Sequence, residues 1–230
     1  MKKLIKSLIP LIITSQVFAI AGFGISANQS LFNVDASTSD LTLTDGSKVG
    51  SFSSSKYSNG YGLGGYLYID VIPFIDIDIE GNSIISKYDF SYANPVDTLK
   101  KQIITGALSG YITAQKKLFK LSIPLLAKAK LTAGAGVNSH SSIPMISQDM
   151  MESVMGGEGN LASGSLDTDE LIKYLKDNKV SDTGFHIQTG LQFKILMLDS
   201  FLYYRQVFAD NVIPDAKGFG SLNLRLGMGF

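Results

Sequence analysis

The stretch Ser221–Phe230 reads S-L-N-L-R-L-G-M-G-F. Apolar side chains occupy Leu222, Leu224, Leu226, Met228 and Phe230, and small or polar ones occupy Ser221, Asn223, Arg225, Gly227 and Gly229. A period of two is the pattern of a β-strand with unlike faces, because a helical period would scatter both classes around the axis. An apolar strand finishing on an aromatic residue is what the closing strand of a membrane barrel is expected to be, with its greasy face toward lipid.

Seven more segments alternate in the same way. In Ala21 to Leu31, Phe23, Ile25, Ala27 and Leu31 oppose Gly22, Gly24, Ser26, Asn28 and Ser30, with Gln29 interrupting the apolar face. In Tyr61 to Val71, Leu63, Leu67, Ile69 and Val71 oppose Gly62, Gly64, Tyr66, Tyr68 and Asp70. A third segment opens I-D-I-D-I-E from Ile75. The fourth runs from Ile104 to Gln115, and a turn is expected at Lys116–Lys120 before the fifth, Leu121 to Val137. The sixth is Phe185 to Ile195. The seventh, Phe201 to Ala209, alternates least cleanly, with Tyr203 and Arg205 inward and Gln206 left facing lipid. The eighth is the closing strand, from about Phe219.

Eight segments of this kind suit tilted membrane crossings of about 9–11 residues each. Their connections alternate, short near Pro73, Leu118 and Met197, long over 32–60, 86–103, 138–184 and 210–218. Short periplasmic turns alternating with longer external loops are the outer-membrane pattern. Only helices and closed barrels satisfy every backbone group in lipid. The expected fold is therefore all-β, an eight-stranded antiparallel up-and-down transmembrane β-barrel. On these residues the mature chain resembles the small eight-stranded outer-membrane barrels of the OmpA and OmpX type, with OmpW-like proteins as neighbours in design. The resemblance is architectural. It implies a location in the outer membrane of a double-membraned bacterium. It also implies that Leu222, Leu224, Leu226, Met228 and Phe230 form the signal read by the barrel-assembly machinery.

The amino terminus fits export. Lys2, Lys3 and Lys6 precede an apolar run from Leu8 to Ile13, and Val17-Phe18-Ala19 is a cleavage pattern. Together these describe a secretory signal peptide over residues 1–20, leaving residues 21–230 as the barrel domain. The sequence has no cysteine, which excludes a lipoprotein anchor, disulfides and cysteine metal sites. With 20 basic and 20 acidic residues the formal charge is zero, so no nucleic-acid footprint is present.

The inward face of an eight-stranded barrel is just wide enough for side chains to fill it. Here it is charged. Asp70, Asp76, Asp78 and Glu80 come from the second and third segments, and Lys128, Lys130, Lys194, Arg205 and Arg225 from the later ones. Charges so confined must be paired or hydrated, so a lumen ion-pair network is expected, in preference to a selectivity pathway. Alternate strand carboxylates such as Asp76 and Asp78 are about 7 Å apart, too far to share a calcium ion. Neither a metal nor a cofactor is expected.

Enzyme chemistry has little to stand on. His140 in S-H-S-S, with Ser139 or Ser141 and Asp182, supplies a nucleophile–base–orienter set in composition only. The first long loop carries Leu41, Leu43 and the Asp45-Gly46 pair of a hairpin. The loop 138–184 is too long to be an idle connection. It holds a Met-rich helix signal over Met145–Met155, ended by Gly156-Gly157, and a second over Thr168–Lys179 capped by Asp167. These helices are expected to pack on each other over the barrel mouth. The loop is the place for any extracellular ligand or partner. The function expected is that of a non-enzymatic outer-membrane barrel acting through its loops in surface interaction or envelope integrity. The alternative is a narrow, OmpW-like channel or transporter for small or hydrophobic solutes. A soluble secreted ligand-binding barrel of lipocalin type comes third, because it needs the apolar face inside.

Overall fold

A computed structural model describes residues 21–72, 75–123 and 127–229. The expected signal segment 1–20, the short connections at 73–74 and 124–126, and Phe230 lie outside the described residues. Ten strands are formed: β1 (Ala21–Val34), β2 (Ser37–Thr42), β3 (Lys48–Ser54), β4 (Tyr57–Ile72), β5 (Ile75–Ala93), β6 (Thr98–Ile123), β7 (Ala127–Ser142), β8 (Val180–Ile195), β9 (Leu198–Phe208) and β10 (Phe219–Gly229). Two helices, α1 (Gln148–Met155) and α2 (Thr168–Asp177), lie between β7 and β8, with a short 3-10 turn at Glu158–Asn160 between them.

Eight of the strands close a ring in the order β1-β4-β5-β6-β7-β8-β9-β10, and β10 returns to β1. The closing pair is antiparallel, from Gly22 opposite Gly229 to Leu31 opposite Gly220. Ser221–Gly229 is therefore the seam of the barrel. Closure leaves no open sheet edge around the ring, the condition for backbone in lipid.

The outer wall is predominantly apolar. Ile25, Leu63, Ile104, Leu108, Ile112, Val137, Phe185 and Leu224 all face out and stay exposed, Leu63 at 72%. A belt this continuous is untenable in water and is the lipid contact of a transmembrane barrel. The lipocalin arrangement is thereby inverted. Several polar residues on this wall are tied locally. Gln29 donates to the Tyr61 hydroxyl (3.3 Å), the Tyr204 hydroxyl donates to Gln206 (2.7 Å), and the Ser83 hydroxyl donates to the Leu63 carbonyl (3.0 Å). Such bonds offset part of the cost of polar groups in hydrocarbon. No helix among the described residues is long and apolar enough to cross a membrane.

One expectation is corrected. Lys116–Lys120 is not a turn: β6 continues to Ile123, and β7 starts only at Ala127. The register against β7 shifts by one residue between Lys117 and Phe119. A β-bulge inserts one extra residue and reverses the alternation beyond it. Lys117, before the bulge, keeps the inward face of Thr113 and Gln115, and beyond the bulge Phe119 lies opposite outward-facing Leu131 and Lys120 opposite Lys130. The K-K-L-F-K run breaks the period without ending the strand.

Beyond the belt, on the side of the long loops, the wall rises further. β5 leaves β4 and pairs with β3, from Phe90 opposite Ser54 to Ala93 opposite Ser51, so β2, β3, β5 and β6 form a four-stranded extension. The β2–β3 hairpin turns through Asp45-Gly46. Gly46 has φ +85° and donates its N–H to the Leu43 carbonyl (2.8 Å). This left-handed conformation suits glycine. The Ser47 N–H, bonded to Asp45 (2.8 Å), holds that carboxyl below its ordinary range.

β7 reaches Ser142 and β8 starts at Val180, so the third connection is narrower than expected, 143–179. Ser147 caps α1, and Gly156 ends it in the left-handed conformation. Asp167 accepts from the N–H groups of Asp169 and Glu170 to start α2. These are the capping chemistries that a helix end requires.

An arginine placed on the belt tests the face assignment. Ile112→Arg is expected to cost about 2–4 kcal/mol of folding free energy, measured by urea unfolding in lipid vesicles. An unchanged midpoint would mean that this face does not meet lipid.

Candidate functional site

Two features stand out: a lumen filled with paired charges, and a capped mouth. The lumen is built by alternation. β5 presents Asp76, Asp78 and Glu80 inward at every second residue, while β9 and β10 present Arg205 and Arg225 from the opposite wall. Arg225 Nη1 lies 2.5 Å from Asp78 Oδ2 and Nε lies 2.8 Å from Glu80 Oε2, with Nη2 also on Glu80. Arg205 Nη2 reaches the same Glu80 oxygen at 3.0 Å, and its Nε donates to Gln188 (2.9 Å). The Tyr203 hydroxyl donates to Glu80 at 2.5 Å, and Gln115 donates to Asp78. Both guanidinium groups also lie on rings: Arg205 is 3.8 Å from the centroid of Tyr111, and Arg225 is 4.9 Å from that of Tyr66. Arg205 and Arg225 are 0% exposed. Two carboxylates face two guanidinium groups, and the remaining donors go to Gln188 and the tyrosines. That is the condition under which buried charge is tolerated.

Toward the short-turn end, Lys117 Nζ sits 2.7 Å from Asp70 and 3.0 Å from Asp76, and Lys130 lies 3.7 Å from Asp70. Lys194 lies 3.8 Å from Asp199, which also accepts from the Tyr68 hydroxyl (2.5 Å) and Gln192 (3.0 Å). Above the arginines, the Ser109 hydroxyl and His140 Nδ1 are 2.7 Å apart, Asn138 and His140 Nε2 3.0 Å, and Thr113 and His186 Nε2 2.8 Å. Both imidazoles meet the Tyr111 ring edge-on.

Of the residues singled out from sequence, Asp70, Asp76, Asp78, Glu80, Lys130, Lys194, Arg205 and Arg225 come together inside. Lys128 does not. It is exposed at the foot of β7, opposite Ser122 and Lys194, and makes no ion pair among the described residues. Water reaches that end, so its charge needs no partner. Of the terminal set, Leu222, Leu224, Leu226 and Met228 line the outer wall. Lys117, Asp199 and the hydroxyls of Tyr68 and Tyr203 were missed. Lys117 is hidden by the bulge, whereas Asp199 was within reach, two residues before Phe201 on the same alternating face. The composition-based catalytic set is brought together only in part: His140 points into the lumen with Asp182 opposite it on β8, while Ser139 and Ser141, its strand neighbours, point to the other face.

The mouth is closed by a second core. Leu41, Phe52, Phe90, Tyr92 and Ile103 from the extension sheet pack with Met151, Leu161, Leu171 and Leu175 from the loop. The contacts between loop and sheet are specific. Gln148 Nε2 donates to the Thr42 carbonyl (2.8 Å), the Thr44 hydroxyl donates to Glu158 (2.7 Å), and Asn94 Nδ2 donates to the carbonyls of Leu161 (2.9 Å) and Gly164 (2.8 Å).

Among the described residues, β6 has no strand partner on one side beyond Ala107. The Gly106 carbonyl accepts from Ile143 N–H (2.9 Å), on the side of β7. Strand alternation sends the N–H and C=O groups of Ile104, Gln102 and Lys100 to the same side. β7 begins its pairing only at Ala107, opposite Ser142. Beyond that point Lys100, Lys101 and Gln102 flank an exposed strand edge.

No family model matches the chain, and no curated protein matches it in sequence. Among solved structures it is similar to OprG from Pseudomonas aeruginosa, at 11% identity and a TM-score of 0.46, covering 92% of this chain and 94% of that one. It is also similar to Ail of Yersinia pestis in complex with the heparin analogue sucrose octasulfate, at 15% identity and a TM-score of 0.41, covering 92% and 99%. Neisserial surface protein A matches at 14% identity and a TM-score of 0.40, covering 91% and 99%.

Arg225→Ala is expected to destabilise the barrel by about 3–5 kcal/mol, because Asp78 and Glu80 lose a fully buried partner. Adding Glu80→Gln should return part of that loss. Lys128→Ala should stay within about 0.5 kcal/mol of the parent. Urea midpoints of the four proteins in vesicles check all three, and equal midpoints for Arg225→Ala and Lys128→Ala would remove the network. With its eight-stranded ring, its outward apolar belt and its short and long connections on opposite ends, the chain has the architecture of the small eight-stranded outer-membrane β-barrels.

Proposed function

We propose that this protein is a non-conducting, non-enzymatic barrel of the bacterial outer membrane, whose working surface is the cap at its long-loop end. One observation carries the reading: the lumen holds Glu80, Arg205, Arg225 and Tyr203, all buried and hydrogen-bonded in one cluster, with Arg205 stacked on buried Tyr111. A bore of eight strands leaves no second path around such a cluster. The cap is therefore the part available for contact, and the long-loop end is assigned to the cell exterior.

Within the cap, the bare edge of β6 suits surface interaction. An exposed strand edge takes up an extended segment of another chain by main-chain hydrogen bonds. The flanking Lys100 and Lys101 favour acidic segments and discourage edge-to-edge pairing of two copies. An envelope role through packing of the belt against outer-membrane lipid is compatible with the same geometry. Export by a signal peptide at 1–20 and delivery through the barrel-assembly machinery, with Leu222, Leu224, Leu226, Met228 and Phe230 as its signal, complete the proposal.

Planar-bilayer recording separates this from the alternative of a narrow channel for small or hydrophobic solutes. The refolded protein is expected to be silent. A variant with residues 143–179 replaced by a short linker is expected to be silent too, because the block lies in the lumen below the cap. Ion-selective steps in the shortened variant alone would make the loop a gate; steps in both would make the lumen a conduit.

A further inference from the structure

Of the seven methionines in the sequence, four fall within eleven residues: Met145, Met150, Met151 and Met155. They are not spread around the cap. Met151 is 0% exposed, at the centre of the mouth core with Leu171 and Leu175. Met145, Met150 and Met155 are half-buried and pack around the same core. Two of them meet the barrel rim through sulfur. The Tyr57 hydroxyl donates to Met145 Sδ (3.5 Å) and the Tyr92 hydroxyl to Met155 Sδ (3.7 Å). Those tyrosines are themselves fixed: Tyr57 stacks on Tyr88 with ring centroids 5.4 Å apart, and Tyr92 accepts from Asn94 (2.7 Å). Thioethers thus pin both ends of the α1 segment to the rim.

We propose that Met145, Met150 and Met155 form an oxidation site whose modification releases the cap from the barrel mouth. The co-reactant is a peroxide from the medium outside the cell. A sulfur lone pair attacks the peroxide oxygen, an S–O bond forms and the O–O bond breaks. Sulfur loses two electrons, and the leaving hydroxide takes up the proton to depart as water. The product sulfoxide is polar and chiral where the thioether was apolar and pliant, which disrupts a methionine-rich contact. The sulfurs that accept from Tyr57 and Tyr92 are the atoms that would carry the added oxygen, so those two contacts change with it. Met151, enclosed until α1 lifts, is oxidised after the other three. Loss of α1 also removes the Gln148 bonds to Thr42, freeing the edge of β2. The inference goes beyond the closed-lumen reading and stands whether or not the lumen conducts.

The test uses the full refolded protein in lipid nanodiscs, titrated with hydrogen peroxide. Peptide mass mapping follows the sulfoxides, and amide exchange over 143–179 together with trypsin cleavage at Lys173 and Lys176 follows the cap. The expected result is oxidation of Met145, Met150 and Met155 ahead of Met151, with cap exchange faster by about tenfold or more, as local opening predicts. A methionine sulfoxide reductase should reverse it. The triple variant Met145→Leu, Met150→Leu, Met155→Leu should keep its protection in peroxide; if it does not fold, Met155→Leu alone should blunt the response. Sulfoxides that form without loosening the cap overturn the proposal. So does a leucine variant that loosens as the parent does, or oxidation of lipid-facing Met228 before the cluster.

Discussion

Glu80 is buried and accepts hydrogen bonds from two guanidinium groups and a tyrosine hydroxyl. Much of the interior follows from that contact. An inward carboxylate on β5 has to be answered from the far wall, so β9 and β10 carry arginines in step with it. Arginine suits the task better than lysine, because its fork meets two acceptors at once and its flat face rests on Tyr111 and Tyr66. Lysines appear instead toward the short-turn end, where Lys117, Lys130 and Lys194 retain partial access to water. The change from arginine to lysine along the axis tracks hydration.

The long-loop end solves a different problem. There the wall leaves the bilayer, and inward positions change from charged to aromatic: Tyr57, Tyr88, Phe90 and Tyr92. Two short helices can cover such a surface with a few leucines and methionines. Capping at Ser147, Gly156 and Asp167 makes helices of eight and ten residues possible despite their unfavourable length. The cap is therefore held by packing and by a handful of side-chain bonds.

Face assignment was almost fully legible from the sequence. The alternation in I-D-I-D-I-E and in L-N-L-R-L places Asp78, Glu80 and Arg225 inward with no further information. Who pairs with whom was not legible, because Glu80 and Arg225 stand 145 positions apart and only the ring order brings them together. The bulge at Lys117–Phe119 defeated the period locally, since K-K-L-F-K looks the same whether the chain turns or merely slips by one. Lys128 was misjudged for a related reason. Alternation gives the side of the wall a residue faces but not its depth, and depth decides whether a charge needs an answer. The helices of the third connection could be read from their caps, while the longer β6 and its bare edge could not, because Thr98–Ile103 lacks a clean period of two.

The seam has a consequence for how the molecule is made. Arg225 lies on β10, the strand that joins β9 to β1 and completes the ring. Until that strand is in place, Asp78 and Glu80 lack a principal counter-charge, and an unfinished barrel holds carboxylates it cannot bury without cost. Closure of the wall and neutralisation of the interior are then one event. A ring shut in the wrong register would put Asn223 or Gly227 where Arg225 belongs and leave those acids stranded. The charge at the centre acts as a proofreader of the seam, rewarding one alignment of β10 over its neighbours two residues away.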